Sequence, residues 1–268
     1  MKKILIISDM HSGITRESKT RPGYTRQPSS QALKTLEAYR DKWHTDSFEH
    51  LIELGDMTKP IPESHDNVQL YRDAVNTIKS LGLPTTFVFG NHDIEYLSKA
   101  EIKEITDQSS FNSVTQIGGF QIVTFEHSQL DKDTAQILRE TMDWFEENVK
   151  KDIQTILFSH YSLKPVKMDG SFGFEGKDST VQIQNSEEFV NFLGKFDIRA
   201  SINGHLHWAG YSKMRMFPCV TVLPFTDNIL SSCDIAINPG IYHVLELDGN
   251  ELRLKSYSGD FCFLNIEI

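Results

Sequence analysis

Cysteine is scarce in this chain. Cys219, Cys233 and Cys262 are scattered through 268 residues with no CxxC spacing, which excludes a disulfide framework and favours a reducing compartment. Positive charge is also in short supply. Lys and Arg number 27 against 37 Asp and Glu, for a formal charge of -10. That argues against a chain built to coat nucleic acid, which shows a basic patch. A small phosphorylated substrate held in one local site remains compatible with it. Long apolar runs are missing, and none approaches the roughly 20 residues of a membrane helix. The run from Ile4 to Ile7 is closed by Asp9, too early for the apolar stretch of a signal peptide. The expectation is a soluble, cytoplasmic protein with no membrane partner. Internal repeats, low-complexity tracts and Pro/Gly/Ser-rich linkers are absent, so residues 1–268 are expected to form one domain. No G-x-S-x-G elbow is present. Gly170 to Lys177 misses a P-loop, with one residue too many and Asp178 where Ser or Thr must stand.

What is present is an alternation of two periods. Short apolar, β-branched runs occur at 3–8 (KILIIS), 50–54 (HLIEL), 85–89 (TTFVF), 120–125 (FQIVTF), 155–159 (TILFS) and 198–202 (IRASI). Their length and composition predict strands. Between them lie helical stripes: Leu33, Leu36, Tyr39 and Trp43 after Ser30; Val68, Tyr71, Val75 and Ile78; Ile102 and Ile105 behind the capping box Ser98-x-x-Glu101; Leu138, Met142, Phe145 and Val149 behind Asp133-x-x-Gln136; and Phe189, Val190, Leu193 and Phe196. The alternation predicts an α/β (α+β) architecture. After Gly204 the helical period stops. IYHVLEL, the turn DGN and ELRLKSY form an expected hairpin, and CFLNIEI a last strand. These antiparallel strands, about 211–268, are expected to belong to the same domain, within two packed sheets flanked by helices.

The chemistry lies where the strands stop. They run into Asp9-x-His11, Gly55-Asp56, Gly90-Asn91-His92-Asp93, His160 and Gly204-His205-x-His207. Glycine permits a sharp turn and a close backbone approach, and sites in α/β folds form at the carboxyl ends of strands. Asp9 and His11, like His205 and His207, are two apart. In extended backbone such pairs share a side. Two aspartates, an asparagine and four histidines are too many donors for one zinc. They suit two divalent ions sharing a carboxylate, and mixed imidazole and carboxylate donors fit Mn, Fe, Zn, Co or Ni better than Ca or Mg. The bland alternative must place costly polar groups on five buried-strand ends with no shared purpose.

These motifs, in this order, resemble the calcineurin-like metallophosphoesterases over about residues 3–210. The resemblance implies a four-layer αββα sandwich with the metal site at the strand C-terminal ends. It implies two transition-metal ions (Mn, Fe or Zn): Asp9, His11 and His207 on the first, Asn91, His160 and His205 on the second, and Asp56 bridging. His92 would not ligate. It would sit over the phosphate as an acid or hydrogen-bond donor, beside Asn91 in substrate binding, with Asp93 orienting it. The purple acid phosphatase branch carries a ligating tyrosine soon after Gly-Asp, and GDMTKP has none. Lipid-A-precursor pyrophosphatases have Arg where His92 stands. GHLHWAG and NPGIYHVLEL look more like class III cyclic-nucleotide phosphodiesterases, although the loop 166–186 puts a cyclic-nucleotide preference in question.

The expected function is therefore a two-metal phosphodiesterase acting on a small nucleotide-type diester. A phosphomonoesterase (nucleotide or phosphoprotein phosphatase) is the alternative, and a non-catalytic binding scaffold a further one. A nuclease is disfavoured by the acidic total. The expected partner is a small phosphorylated substrate, with a homodimer left open. Arg16, Lys19, Arg21 and Arg26 in the loop 12–30 could hang over the cleft or form a solvated surface. His44, His50, His65, His127 and His243 fall outside the motifs and are expected at the surface or behind the ligands, with His65 a candidate substrate contact.

Overall fold

Strands and helices alternate along most of the chain. The computed structural model describes residues 1–13, 31–59, 66–131, 134–164, 183–213, 216–226 and 240–268. The elements are β1 (Lys2–Ile7), α1 (Ala32–Thr45), β2 (His50–Glu53), α2 (Asn67–Lys79), β3 (Thr85–Phe87), α3 (Lys99–Thr106), β4 (Ser113–Ile117), β5 (Phe120–Thr124), β6 (Ser128–Gln129), β7 (Ala135–Gln136), α4 (Arg139–Asn148), β8 (Thr155–Ser159), α5 (Ser186–Leu193), β9 (Ile198–Asn203), β10 (Gly210–Lys213), β11 (Pro218–Thr221), β12 (Ile241–Asp248), β13 (Glu251–Ser258) and β14 (Phe261–Glu267).

Two six-stranded mixed sheets result, in the orders β14-β13-β12-β1-β2-β3 and β10-β11-β9-β8-β5-β4, and β6 pairs with β7. In the first sheet β1, β2 and β3 run parallel, and β12 closes antiparallel on β1. In the second, β5, β8, β9 and β11 are parallel, with β4 and β10 antiparallel at the edges.

The apolar runs lack polar alternation because both faces of each central strand are covered. Ile4 and Ile6 of β1 join a cluster between the sheets with Ile156, Phe158, Ala200 and Ile202. Leu5 and Ile7, on the other face, pack with Leu36, Trp43, Tyr71, Val75, Ile78 and Ile102 of α1, α2 and α3. On the far side of the second sheet, Val123 and Leu157 meet Met142 and Phe145 of α4 and Phe189 and Leu193 of α5. The layers are helix, sheet, sheet, helix. Each fully buried Ile or Leu contributes about 1.5–3 kcal/mol relative to exposure, which is why pleat and register hold the strand ends so firmly.

Several boundaries differ from expectation. The Ser98–Glu101 capping box forms in both directions, but α4 does not begin at Asp133-x-x-Gln136. Ala135 and Gln136 instead pair in a β-ribbon, and the helix starts after Leu138. The main chain of Ala135 is recruited by Ser128–Gln129 and by Gln184, a tertiary pull that local capping signals cannot register. Ser30, expected ahead of α1, lies outside the described residues, and Gln31 makes no side-chain cap bond to the helix. Strands β4 and β10 are short, partly exposed sheet edges, so they lack the dense apolar run that marks a central strand. The basic loop residues Arg16, Lys19, Arg21 and Arg26, together with His65 and positions 165–182, lie outside the described residues. Among the described residues no helix is long and apolar enough to cross a membrane.

Candidate metal centre

The five strand ends named by the motifs meet at one edge of the sandwich. β1, β2 and β3 bring Asp9, His11, Asp56 and Asn91 from the first sheet, while β8 and β9 bring His160, His205 and His207 from the second. Beyond β1 and β2 the two chains stay side by side. Asp9 N–H bonds Gly55 O at 3.0 Å, His11 N–H bonds Asp56 O at 2.9 Å, and Ser12 N–H bonds Met57 O at 2.9 Å. The sheets are tied together at this edge by Phe225 N–H to Ser8 O at 2.7 Å and by the Thr226 hydroxyl to Asp9 O at 3.1 Å.

The backbone here is not extended, as the paired spacing had suggested. Asp9, His11, Asp56, His205 and His207 have φ of 51°, 44°, 53°, 69° and 50°. Left-handed conformations cost non-glycine residues about 1 kcal/mol or more each, and clusters of them mark functional sites. They turn consecutive side chains into the cleft within a few residues of the strand end. The motif glycines serve close approach. A Cβ at Gly90 would collide with Asp56 Oδ1, and one at Gly204 would collide with Ser8 Oγ and stand 2.6 Å from Asp9 Oδ2.

Two groups of donor atoms result. In the first, Asp9, His11 and His207 offer atoms within 4.8 Å of one another. His11 Nε2 faces His207 Nε2 at 2.9 Å, and Asp9 Oδ1 lies 3.3 Å from His207 Nε2 and 4.0 Å from His11 Nε2. Asp9 is held by its other oxygen, which accepts from the Ser8 hydroxyl and from His205 N–H at 3.1 Å. Oδ1 is buried without a hydrogen-bond partner. In the second group, Asp56, His160 and His205 are likewise within 4.8 Å. His160 Nδ1 is 2.8 Å from Leu54 O, an acceptor, so Nδ1 carries the proton. Burial pushes the His160 pKa down, which leaves Nε2 a lone pair. That lone pair lies 3.1 Å from Asn91 Oδ1, 3.2 Å from His205 Nδ1 and 3.6 Å from Asp56 Oδ1. Acceptors aimed at one another in a buried site fit a cation between them. Asp56 stands between the groups, since its Oδ2 is 3.7 Å from His11 Nε2.

Burial, with the neighbouring charge of Asp9, pushes the Asp56 carboxyl up to about 7, against the pull of His92. Asp9 goes the other way: burial would raise it, but the influence of His207 above all, with that of His160 and the Ser8 hydroxyl, outweighs that. Burial and His160 drive His205 well below the usual imidazole range. A bound cation favours the deprotonated ligands at each of these positions.

His92 sits at the rim, its ring 5.1 Å from that of His11 and nearly perpendicular to it. A donor atom of His92 falls within 4.8 Å of atoms of His11 and Asp56. Its backbone N–H bonds Asp56 Oδ1 at 2.8 Å. Asp93, expected to orient the His92 ring, is engaged elsewhere. Its Oδ2 accepts from Asp56 N–H at 2.8 Å and Gly90 N–H at 2.9 Å, and its Oδ1 from Met57 N–H at 3.0 Å and Thr58 N–H at 3.4 Å. The turn after Gly90 points this side chain inward, so it stitches the two loops rather than touching the ring. The carboxylate at the ring is Glu95, with Oε2 3.1 Å from His92 Nδ1.

Sequence reasoning also missed Ser8, Thr226 and Glu53. Glu53 is fully buried, accepts from Gly55 N–H at 3.1 Å and has its pKa raised well up by burial and by Asp93. Ser8 abuts Asp9 and Glu53 precedes Gly55-Asp56 by a turn; that adjacency was the available signal. Of the histidines outside the motifs, His50, His127 and His243 are buried rather than at the surface. His50 bonds Thr86 Oγ1, and His243 bonds Ser256 Oγ and Leu223 O. His127 packs its ring against Phe89 and Tyr161, and the Tyr161 ring in turn meets that of His160. His44 is exposed.

The chain belongs to the calcineurin-like phosphoesterase family, whose profile matches residues 2–209. Members of that family typically hold two metal ions. Among solved structures it is similar to a dimetal phosphatase from Danio rerio, at 13% identity and a TM-score of 0.71, covering 99% of this chain and 98% of that one. It is also similar to a purple acid phosphatase from yellow lupin seeds, at 14% identity and a TM-score of 0.68, covering all of this chain and 53% of that one. A third likeness is to the anchor in the inner membrane complex of Plasmodium, at 11% identity and a TM-score of 0.59, covering all of this chain and 88% of that one. At such identities the likeness is one of fold. No curated protein matches the chain.

Proposed function

We propose that this chain is a cytoplasmic two-metal phosphodiesterase for a small nucleotide-type diester, working as one domain over residues 1–268. Asp9, His11 and His207 would hold one ion, Asn91, His160 and His205 the other, and Asp56 would bridge them. The observation that carries this reading is the set of buried acceptors facing one another without protons between them, His160 Nε2 against Asn91 Oδ1 above all. Mn, Fe or Zn fits this mixture of imidazole and carboxylate donors. Bound there, the ions supply hydroxide near neutral pH and neutralise phosphate oxygens.

The chain's own residues supply the rest. Ser8 and His205 N–H fix one oxygen of Asp9, so only Oδ1 is presented to the site. His160 is fixed in tautomer by Leu54 O. Asn91 and His92 would contact the phosphate and its leaving oxygen, and a proton from His92 would let that oxygen depart as an alcohol. Among the described residues neither Asp9 nor Asp56 pairs with a lysine or arginine, and the nitrogens nearest their oxygens belong to histidines. The choice of a diester rests on the likeness of GHLHWAG and NPGIYHVLEL to the small cyclic-nucleotide phosphodiesterases.

Hydrolysis of bis(p-nitrophenyl) phosphate and p-nitrophenyl phosphate by the manganese-loaded protein tests the substrate class. Faster turnover of the diester is expected. Faster turnover of the monoester would move the assignment to a phosphatase. No metal-dependent turnover of either, with a partner-binding activity untouched by Asp56→Asn, would favour a scaffold.

A further inference from the structure

We propose that Glu95 is the positioning residue for His92, a role that the adjacent Asp93 cannot fill. Asp93 spends both oxygens on the backbone amides of Asp56, Met57, Thr58 and Gly90. Glu95 lies one turn beyond His92 with Oε2 3.1 Å from Nδ1. A carboxylate accepts only, so His92 Nδ1 carries the proton in this contact. That leaves Nε2 as the nitrogen available to a substrate. The edge-to-face contact with His11 bounds the ring on a further side, and the bond from the His92 backbone N–H to Asp56 Oδ1 fixes the main chain that carries it.

This deepens the reading of the site as a P–O hydrolase and rests on it. As a hydroxide oxygen derived from water bonds to phosphorus and gives a phosphomonoester, the bond from phosphorus to the leaving oxygen breaks and its electron pair stays on that oxygen. The Nε2 proton of the His92 imidazolium passes to it, giving a neutral alcohol and a neutral imidazole, which recovers its proton from water. Glu95 would stabilise the imidazolium from the Nδ1 side throughout, as the acidic member of a hydrolytic triad does. A leaving group that departs readily as an anion has little need of this proton, whereas a poor one depends on it.

The test compares Glu95→Ala with the parent on two diesters, bis(p-nitrophenyl) phosphate and diphenyl phosphate. General acid catalysis contributes about 10²–10⁴-fold, so loss of its positioning should lower kcat on diphenyl phosphate by about 10-fold or more. Turnover of the nitrophenyl diester should change by less than about threefold, because its leaving group needs no acid. Added to His92→Ala, Glu95→Ala should cause no further loss. A second readout needs neither metal nor substrate. Nitrogen-15 spectra of the histidine rings, recorded at a pH high enough for His92 to be neutral and with His92 assigned by its loss in His92→Ala, should show the Nδ1–H tautomer in the parent and a shift to Nε2–H in Glu95→Ala. Equal losses on both diesters, additive losses in the double variant, or an Nε2–H ring in the parent would overturn the proposal. Absence of metal-dependent hydrolysis by the parent would instead sink the reading of the site, and the ring spectra would still decide the Glu95 contact.

Discussion

Replacing Gly90 with alanine isolates the close approach of the third strand end to Asp56. The added Cβ would collide with Asp56 Oδ1 and stand 2.5 Å from Asp56 N and 2.8 Å from Asp56 Cγ, where ordinary contact begins at 3.4 Å. The carboxylate cannot swing away freely, because Oδ1 accepts His92 N–H at 2.8 Å. Nor can Gly90 retreat freely, since its own N–H bonds Asp93 Oδ2 at 2.9 Å. A shift of about one ångström is forced on one side, and overpacking of this kind costs about 1–3 kcal/mol. Misplacement by an ångström near a reacting centre costs about 10²-fold in rate. The expected outcome is a fall of about 100-fold in kcat/KM on bis(p-nitrophenyl) phosphate, with a drop of about 2–4 °C in Tm for each kcal/mol lost. Gly249→Ala serves as the control. Gly249 has φ +59° and no atom within 4 Å of the added Cβ, so it should lose about 1–2 kcal/mol of stability from backbone strain alone and keep full activity. Parental kcat/KM in Gly90→Ala would refute the claim that Asp56 is held in place by contact with Gly90.

Other consequences are separable from the metal centre. Burial drives the His243 pKa down to about 4 from 6.5, so the unfolded chain takes up its proton first as pH falls. Its contribution is complete above pH 6.5 and lost progressively toward about pH 4, about 3 kcal/mol in all. Urea titrations across that range should show this slope in the parent and a flatter one in His243→Gln, at the expense of some stability at pH 8. Ser98→Ala removes the acceptor for Glu101 N–H and should cost about 1 kcal/mol, read as a lower urea midpoint with unchanged kcat. Asp93→Asn keeps the shape of the side chain that gathers four backbone amides but weakens its charge-assisted bonds. It should therefore reduce stability by about 1–3 kcal/mol more than it alters leaving-group dependence, the reverse of Glu95→Ala.

The nine motif residues were legible because each sits directly after a dense apolar run, often behind a glycine, and a strand end has few directions in which to point a side chain. The layers were legible for a related reason: runs such as Ile4 to Ile7 have no polar face because both faces are covered. What escaped were features set by tertiary partners. The left-handed backbone at Asp9, His11 and His205 is imposed by loops from different strands, whereas spacing alone suggested extended chain. Asp93 and Glu95 are two carboxylates near one histidine, and only the inward turn after Gly90 decides which of them reaches the ring. His50 and His243 look like spare surface residues until their strands are paired and their ring nitrogens find Thr86, Ser256 and Leu223.

Metal stoichiometry tests the central claim most directly. Titration of the metal-free protein with Mn²⁺, followed by calorimetry and confirmed by elemental analysis, should give two ions per chain. His160→Ala should lose one and keep the other, and Asp56→Asn should weaken both. A single ion in the parent, or two ions retained at parental affinity in Asp56→Asn, would contradict a shared centre bridged by Asp56.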